Sequence, residues 1–257
     1  MKMPVLFVGH GNPMNAIEPN EFHRSWQELS RRLPKPKAIL CISAHWETRG
    51  VYVTATGKPE TIHDFYGFPK ALFDVQYPAP GDAHLAHRVS ELISSSKVML
   101  DQGRGLDHGA WSVLAPMYPA ADIPILQLSL DTSQPGEFHY ALARELAPLR
   151  EEGILILGSG DMVHNLRLFS FHDPQPLPWA TECDATLRRR ILAREHDLLK
   201  DYDTLGPNAR LAVPTPEHYF PLLYALALQE DAEPASFFND RVISAISMTS
   251  VLIGASA

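Results

Sequence analysis

The chain has 257 residues, of which 45% are hydrophobic and 20% are charged, and its formal net charge at pH 7 is −8. This composition is typical of one globular α/β domain, which we assign to residues 1–257. The negative charge argues against partners such as nucleic acid or an anionic membrane surface, since both require a basic protein face. Two cysteines make no disulfide framework, and no apolar segment is long enough to span a bilayer, so we expect a cytoplasmic protein.

Short apolar runs that are typical of buried strands alternate with amphipathic segments that are typical of helices. The predicted strands are "VLFVG" (5–9), "AILCISA" (38–44), "VYVTAT" (51–56), "KVML" (97–100), "ILQLSL" (125–130) and "ILILGSG" (154–160). The predicted helices are "EFHRSWQELSRRL", "DAHLAHRVSELISS", "GEFHYALARELAPLREE", residues from about 179 to 202 and "TPEHYFPLLYALAL". The tail "SFFNDRVISAISMTSVLIG" predicts two further strands at an antiparallel edge. Together these elements predict an α/β sandwich with a mixed, partly parallel central sheet flanked by helices.

Five of the 12 histidines fall at the ends of predicted elements. His10, His45 and His164 follow predicted strands, His108 lies in a glycine-rich loop, and His218 lies in the first turn of the last predicted helix. Because the C-terminal ends of parallel strands share one edge of a sheet, we expect these side chains to converge there. Three imidazoles suffice to bind a catalytic zinc or iron ion, which leaves two for proton transfer. Each histidine taken alone also fits a structural role, such as a turn residue or a loop cap.

Six linked segments of the chain resemble the 4,5-DOPA extradiol dioxygenase family, within the class III (LigB-type) extradiol ring-cleavage dioxygenases. The segments are "GHGNPM", "SAHWE", "IHDFYGFP", "LDHGAW", "GSGDMVHNL" and "TPEHYFPLLYA", in order from residue 9 to about residue 225. The resemblance implies an α/β sandwich with a metal site in a pocket at one sheet edge. It also implies cleavage of a catechol ring next to its two hydroxyls, with both atoms of O2 inserted. Fe(II) is the metal implied for activity, and Zn(II) also suits a histidine-rich site.

The same resemblance gives each of the five histidines a role. His10, His45 and His218 correspond to the three metal ligands, His164 to the catalytic histidine, and His108 to the pocket histidine that meets the substrate or oxygen. We expect His164 to lie close enough to the metal to act as a fourth ligand when no substrate is bound. With an unperturbed pKa, a base at His164 predicts activity that falls below about pH 6 to 7.

Two acidic residues adjoin this set. In the wider superfamily the third metal ligand is often a glutamate, and Glu217 directly precedes His218. On a helix these neighbours diverge by about 100°, so only one can face the metal, and we expect it to be His218. Asp107 precedes His108 and is a candidate for orienting its ring.

The implied reactants are a small aromatic diol, such as a DOPA-like catechol, and O2. Trp46, Tyr66 and Phe68 are candidates for stacking on the ring, and His63 for the wall of an aromatic pocket, although each also fits ordinary packing. Two alternatives stay open at this point: a zinc-dependent hydrolase, and a non-catalytic protein that binds a metal or an aromatic compound on the same fold. We expect a monomer or a small homo-oligomer.

Overall fold

The computed structural model describes residues 2–255, and Met1, Ser256 and Ala257 of the predicted domain lie outside the described residues. The strands are β1 (Val5–Gly9), β2 (Ala38–Thr48), β3 (Val51–Thr54), β4 (Val98–Asp101), β5 (Ile125–Asp131), β6 (Ile154–Gly160), β7 (Ala235–Phe238), β8 (Val242–Ile243), β9 (Ile246–Ser247) and β10 (Ser250–Ile253). The α-helices are α1 (Glu21–Arg32), α2 (Lys70–Phe73), α3 (Ala83–Leu92), α4 (His108–Met117), α5 (Gly136–Glu145), α6 (Ala147–Glu151), α7 (Pro178–Leu192), α8 (His196–Leu199), α9 (Ala209–Ala212) and α10 (Phe220–Ala227). Short 3-10 helices span Pro13–Ala16 and Tyr202–Leu205.

The main sheet has eight strands in the order β4-β3-β5-β2-β6-β1-β10-β7. Its centre, β5-β2-β6-β1, is parallel, whereas β3 is antiparallel to β5 and β10 is antiparallel to both β1 and β7. The predicted mixed sheet is therefore confirmed. Two strands of the tail, β10 and β7, form its antiparallel edge as predicted, whereas β8 and β9, which were not predicted, pair with each other in a separate two-stranded sheet. The parallel centre places the C-terminal ends of β1, β2 and β6 at one edge.

Helices cover both faces of this sheet because its central strands are apolar on both sides. In β1, Val5 and Phe7 belong to a core packed under α5, α7 and α10, whereas Leu6 and Val8 belong to a second core under α1 and α4. The same alternation runs through β2 and β6. Strands buried on both faces read as continuous apolar runs, which explains why these segments are recognisable in the sequence. No helix within residues 2–255 is both long and apolar enough to cross a membrane.

Three predicted helices begin or end elsewhere in the structure. The segment "TPEHYFPLLYALAL" becomes helical only at Phe220, because Pro221 has no N–H to bond and is tolerated in a first turn but not in a helix interior. His218 therefore lies in the turn before α10 rather than in its first turn. The long helix predicted from about 179 to 202 ends at Leu192, since Arg194 adopts a positive φ of 57°. Pro148 similarly divides the predicted helix at 136–152 into α5 and α6.

The second predicted strand is also longer than its apolar run. β2 extends to Thr48, so His45 lies within the strand rather than after it. The pairing of β2 with β5 shifts register between Ile42 and Glu47, as at a β-bulge. A bulge re-aims the side chains next to it, and His45 is one of these.

One buried cation joins three distant segments on the side of the sheet away from the histidines. The Arg150 side chain is 1% exposed, and it donates hydrogen bonds to the Met3 and Leu228 carbonyl oxygens at 2.9 and 2.6 Å. It also forms a two-pronged ion pair with Glu233, at 2.8 and 2.6 Å. Burial raises the pKa of Glu233, but the hydrogen bonds from Arg150 and from neighbouring groups outweigh it and lower the pKa to about 2.

We expect Arg150→Ala to lower the free energy of unfolding by about 3–5 kcal/mol, because it leaves the Glu233 charge without its buried partner. The ion pair also makes stability depend on pH. Because the folded pKa of Glu233 is depressed, its contribution is complete above the ordinary value of 4.5 and is lost as the pH falls from there toward about 2. Urea denaturation at neutral and at acidic pH measures both effects.

Arg88→Ala is the matched control, because Arg88 pairs with Glu152 on the surface, where the two side chains are 42% and 38% exposed. An exposed pair of this kind contributes about 0–1 kcal/mol. A loss at Arg150 no larger than the loss at Arg88 would contradict the prediction.

Candidate metal centre

Two glycines let separate loops approach the C-terminal edge of the sheet closely. Gly9 and Gly160 end the paired strands β1 and β6 and lie opposite each other in the ladder. A Cβ atom on Gly160 would lie 2.2 Å from the His218 carbonyl oxygen, and one on Gly9 would lie 2.7 Å from the backbone of Met248. Both distances are shorter than any tolerable contact. The absence of side chains here therefore lets the segments that carry His218 and Met248 reach the strand ends.

Three imidazoles converge at this edge. His10 follows β1, His45 lies at the bulge in β2, and His218 precedes α10, and their ligand nitrogens all lie within 4.8 Å of one another. The Nε2 atoms of His10 and His45 are 3.2 Å apart. Two nitrogens that bind one cation at about 2.1 Å lie about 3.0 Å apart at a right angle and about 3.4 Å apart in a tetrahedron. The observed spacing therefore fits a shared metal ion.

Hydrogen bonds on the far side of two of these rings fix which nitrogen faces the cluster. The Ser159 hydroxyl donates its proton to the Gly109 carbonyl oxygen at 2.5 Å, so the His10 Nδ1–H donates to the Ser159 Oγ at 3.0 Å. His218 Nδ1 donates in the same way to Glu217 Oε1 at 3.1 Å. In both rings Nε2 is then unprotonated and carries the lone pair that a metal requires.

Burial keeps these imidazoles neutral. Desolvation, reinforced by the neighbouring histidines, lowers the pKa of His10 and of His218 well below the ordinary value. Burial and the adjacent His108 lower the pKa of His45 to about 4. Burial also lowers the pKa of His164 to about 4. Only neutral imidazole binds a metal, so at neutral pH the cluster is in its binding form.

His164 and His108 flank the three convergent rings. His164, in the loop after β6, stacks on His218 with ring centroids 3.5 Å apart and planes inclined by 11°. His108 opens α4, and its ring centroid lies 3.8 Å from that of His45. The structure therefore brings together all five histidines that the sequence singled out.

Asp64, rather than Asp107, lies against the His108 ring. Asp64 Oδ1 lies 2.9 Å from His108 Nδ1 and accepts the His108 backbone N–H at 2.9 Å. Burial raises the pKa of Asp64, but its contacts with His108 outweigh this and lower the pKa to about 2. Asp107 instead caps α4 and accepts hydrogen bonds from the side chains of Ser43 and Gln127. As the N-cap, its carboxylate points at the helix backbone and away from the ring that follows.

A cavity of about 550 Å³ opens from the histidines to the surface. Its lining comprises the five histidines and Gly11, Asn12, Pro13, Asn15, Asn20, Phe22, Asp64, Phe65, Tyr66, Phe68, Leu166, Phe169, Phe171, Ile243, Ile246 and Met248. Of the four pocket residues expected from the sequence, Tyr66 and Phe68 line it, and Tyr66 is 92% exposed. This volume and its aromatic walls suit a small ring compound.

The other two expected pocket residues lie outside the lining. The His63 Nε2–H donates to the Val75 carbonyl oxygen at 2.9 Å, and the ring packs behind Phe65 and against Trp111. Trp46 is buried beneath the Arg104 guanidinium, because neighbouring residues of a strand face opposite sides and His45 takes the side of the cavity.

Three polar residues of the centre were not picked out from the sequence, namely Asp64, Ser159 and Asp161. Asp64 and Asp161 both lie within segments that carry the family resemblance, and the available signal was an acidic residue close to a candidate histidine, directly after His63 for Asp64 and three residues before His164 for Asp161. Asp161 is completely buried at the end of β6, and burial raises the pKa of its carboxyl well above the ordinary value. Ser159 gave no signal, because a buried serine in a strand is recognised as a partner of His10 only once the rings are placed.

The chain matches the family described as the catalytic LigB subunit of aromatic ring-opening dioxygenase over residues 4–251. It is 48% identical over 260 aligned residues to an Escherichia coli K12 protein named 4,5-DOPA dioxygenase extradiol. The alignment covers 98% of this chain and 95% of that protein. A Beta vulgaris protein of the same name is 41% identical to this chain, and the alignment covers 91% of this chain and 90% of that protein. A crystal structure of an Escherichia coli K12 protein superposes with a TM-score of 0.87 at 44% identity and covers 98% of this chain and 100% of that one. The chain therefore belongs to the LigB family of aromatic ring-opening dioxygenases.

Proposed function

We propose that this protein cleaves the ring of a DOPA-like catechol by extradiol chemistry, at a non-haem Fe(II) held by His10, His45 and His218. The observation that carries the proposal is the convergence of these three imidazoles at the base of an aromatic cavity, with two further histidines beside them. The names of the relatives supply the substrate class, since the proteins from Escherichia coli and Beta vulgaris are both named 4,5-DOPA dioxygenases.

The donor set fits a divalent metal. Three buried, neutral imidazoles suit Fe(II) and Zn(II) alike, and we propose Fe(II) for activity, with Zn(II) able to occupy the same site. Fe(II) held by these three histidines would supply Lewis-acid and redox chemistry toward a catechol and O2. The two cysteines, Cys41 and Cys183, are free and buried, which supports a reducing, cytoplasmic location for what we propose to be one catalytic domain.

The chain's own residues would then supply proton transfer and positioning. His164 accepts a catechol hydroxyl proton and later returns it to the oxygen at which the O–O bond breaks. Its lowered pKa keeps it unprotonated at neutral pH, as a base must be. His108, whose Nδ1 lies 2.9 Å from Asp64 Oδ1, offers its other ring nitrogen to the substrate or oxygen. Phe65 and Phe68, which line the cavity, would pack against the plane of the catechol ring.

Oxygen consumption tests this function against the two alternatives. Protein loaded with Fe(II) under anaerobic conditions and mixed with DOPA should consume O2 and incorporate both atoms of isotopically labelled O2 into the product. Ester or amide cleavage without oxygen would instead support a zinc hydrolase, and binding of the catechol without turnover would support a binding protein.

The choice between Glu217 and His218 is decided by metal content. We expect His218→Ala to abolish stoichiometric metal binding, because it removes one of three ligands. Glu217→Gln should weaken binding by no more than about 10-fold, the lower end for a residue that only orients a ligand, since glutamine keeps an oxygen for His218 Nδ1. Atomic absorption of the purified variants measures both, and the reverse pattern would favour the carboxylate as the ligand.

Proton transfer can be separated from metal binding at His164. We expect His164→Asn to retain Fe(II) and catechol but to slow ring cleavage by about 10²- to 10⁴-fold, the usual contribution of a positioned acid–base group. In the parent protein the acidic limb of the pH–rate profile should lie near pH 4 rather than at an ordinary histidine value, because burial lowers this pKa to about 4. That limb should flatten in the variant.

The His164 variant has two contrary outcomes, and they lead to different conclusions. Loss of the metal would make His164 a ligand. Full turnover with an unchanged profile would make it structural, and His108 would become the leading candidate for the base.

The residues that line the cavity also indicate where the amino-acid carboxylate of a DOPA-like substrate lies. Among residues 2–255, no Lys or Arg lines the cavity, and the lining includes Asn12, Asn15 and Asn20. We therefore propose that the amino-acid carboxylate of a DOPA-like substrate stays solvated at the mouth. Replacing DOPA by the catecholamine that lacks this carboxylate should change kcat/KM by less than about fivefold, since exposed charge interactions contribute about 0–1 kcal/mol. A loss of about 100-fold or more in steady-state assays would show that the carboxylate is bound.

A further inference from the structure

The outer part of the cavity is lined by apolar side chains that are exposed to solvent. Within residues 2–255, three exposed large apolar side chains belong to the lining, namely Tyr66, Leu166 and Phe171, which are 92%, 60% and 78% exposed. Phe169 also lines the cavity, and its ring centroid lies 4.9 Å from that of Phe171. These four residues form the mouth of the cavity. Exposed apolar side chains that are grouped at an opening indicate a surface that binds another apolar group, whereas single ones scattered over a protein are ordinary.

Hydrogen bonds hold the segment that carries three of the four mouth residues. Residues 165–177 precede α7, and their backbone is tied at three points to Ser244. The Ser170 N–H donates to Ser244 Oγ at 2.9 Å, and the Leu177 N–H donates to the Ser244 carbonyl oxygen at 2.9 Å. The Ser244 N–H donates in turn to the Pro174 carbonyl oxygen at 3.0 Å. These apolar side chains are therefore presented by a backbone with tertiary hydrogen bonds, which lowers the entropy cost of binding a ligand.

The polar side chains of the lining are engaged within the protein. Asn12 Oδ1 accepts the backbone N–H two residues further on at 2.9 Å. Asn15 donates to the His10 carbonyl oxygen at 3.2 Å and accepts from Asn20 at 2.7 Å. Among residues 2–255, the only charged lining residue other than the histidines is Asp64, which lies against two of those histidines. A charged substituent on the substrate would therefore find no ion-pair partner at the mouth, whereas an apolar one would find four side chains.

The shape of a catechol places its substituents toward this mouth. When both hydroxyls face the histidines, the 4- and 5-positions of the ring lie on the opposite side, toward the opening. The cavity volume of about 550 Å³ falls within the range of about 300–1,000 Å³ that is typical of pockets for drug-sized ligands. The cavity therefore accommodates more than a single ring.

We propose that the substrates of this site include catechols whose 4-position carries an apolar substituent, such as a butyl chain or a second ring, which packs in the mouth. This inference rests on the proposed cleavage of a catechol and extends its substrate class beyond DOPA-like compounds. A methylene that is fully buried from water strengthens binding about fourfold, and one that is half-buried about twofold.

Binding of 4-alkylcatechols to the Zn(II)-loaded full-length protein, measured by calorimetry under anaerobic conditions, tests the proposal without turnover. Three methylenes separate 4-methylcatechol from 4-butylcatechol, so we expect the Kd to fall by about 8- to 60-fold between them. In the Fe(II)-loaded protein the same change should lower KM with little effect on kcat, because the chain is buried equally before and during the reaction. A fall in Kd of less than about fivefold would overturn the proposal.

Leu166→Ser and Leu192→Ser form a matched pair, because both leucines are 60% exposed and, of the two, Leu166 lines the cavity. The ratio of the Kd for 4-methylcatechol to the Kd for 4-butylcatechol should fall at least about threefold in Leu166→Ser, as expected for lost burial of the chain. Leu192→Ser should keep the ratio of the parent protein. Phe171→Ser is a second mouth variant if Leu166→Ser fails to fold. Equal ratios in a folded mouth variant and in Leu192→Ser would overturn the proposal.

Sedimentation of the same variants tests whether a second copy of this chain occupies the mouth instead. We expect the parent protein, Phe171→Ser and Leu192→Ser to have the same mass in solution. A parent dimer that dissociates in Phe171→Ser but not in Leu192→Ser would assign the mouth to a contact between copies and overturn the proposal.

The proposed function and this inference fail in different ways. If the Fe(II)-loaded parent protein cleaves no catechol but the Kd still falls with chain length, ring cleavage is wrong and the apolar specificity of the mouth stands. If the parent cleaves catechols but neither the Kd nor KM depends on chain length, only this inference is wrong.

Discussion

The exclusion of water from a group of adjacent imidazoles is the constraint on which this molecule depends. Five histidine rings meet at one edge of the sheet, and burial together with their mutual repulsion disfavours the charged form of His10, His45 and His218. Neutral rings tolerate each other at close range and present lone pairs. The same burial would make an unpaired charge costly, and two acidic groups nearby are in contact with histidines, Asp64 with His108 and Glu217 with His218.

Backbone geometry makes this packing feasible. The strands β1 and β6 end in glycines, which lets the segments before α10 and before β10 lie against the sheet edge. Ser159, in β6, connects His10 to the backbone of α4 through Gly109. His10 directly follows β1, His45 lies in β2 and His108 begins α4, so three of the five rings are placed by regular elements, which position side chains more firmly than loops do.

Much of this arrangement follows from sequence patterns, for identifiable reasons. The strand at 154–160 agrees with the structure to the residue, because a run buried on both faces and ended by glycine has clear limits. His10 and His164 were located by the same logic. His45 was predicted to follow the second strand but lies within it, because a bulge inside β2 has no apolar pattern in the sequence. The break at Arg194 was missed because a positive φ at arginine is set by packing rather than by intrinsic preference.

The polar partners of the rings were harder to foresee than the rings themselves. Asp64 comes from a loop, Ser159 from a buried strand and Glu217 from a turn, and each acquires its role from a neighbour distant in the chain or from a local backbone bend. Spacing along the sequence carries no information about the pairings of Asp64 with His108 and of Ser159 with His10, whose members are 44 and 149 residues apart. The expected pocket residues divided in a similar way, since Tyr66 and Phe68 line the cavity whereas His63 and Trp46 pack behind it.

The position of β10 beside β1 has a consequence for how the protein matures. His10 emerges early in synthesis, but the strand it follows is completed on one side by β6 and on the other by β10, which ends at Ile253. His218 is also made late. The edge that carries the rings is therefore complete only after β10 has been made, and a nascent chain that stops short of β10 cannot hold them in this arrangement.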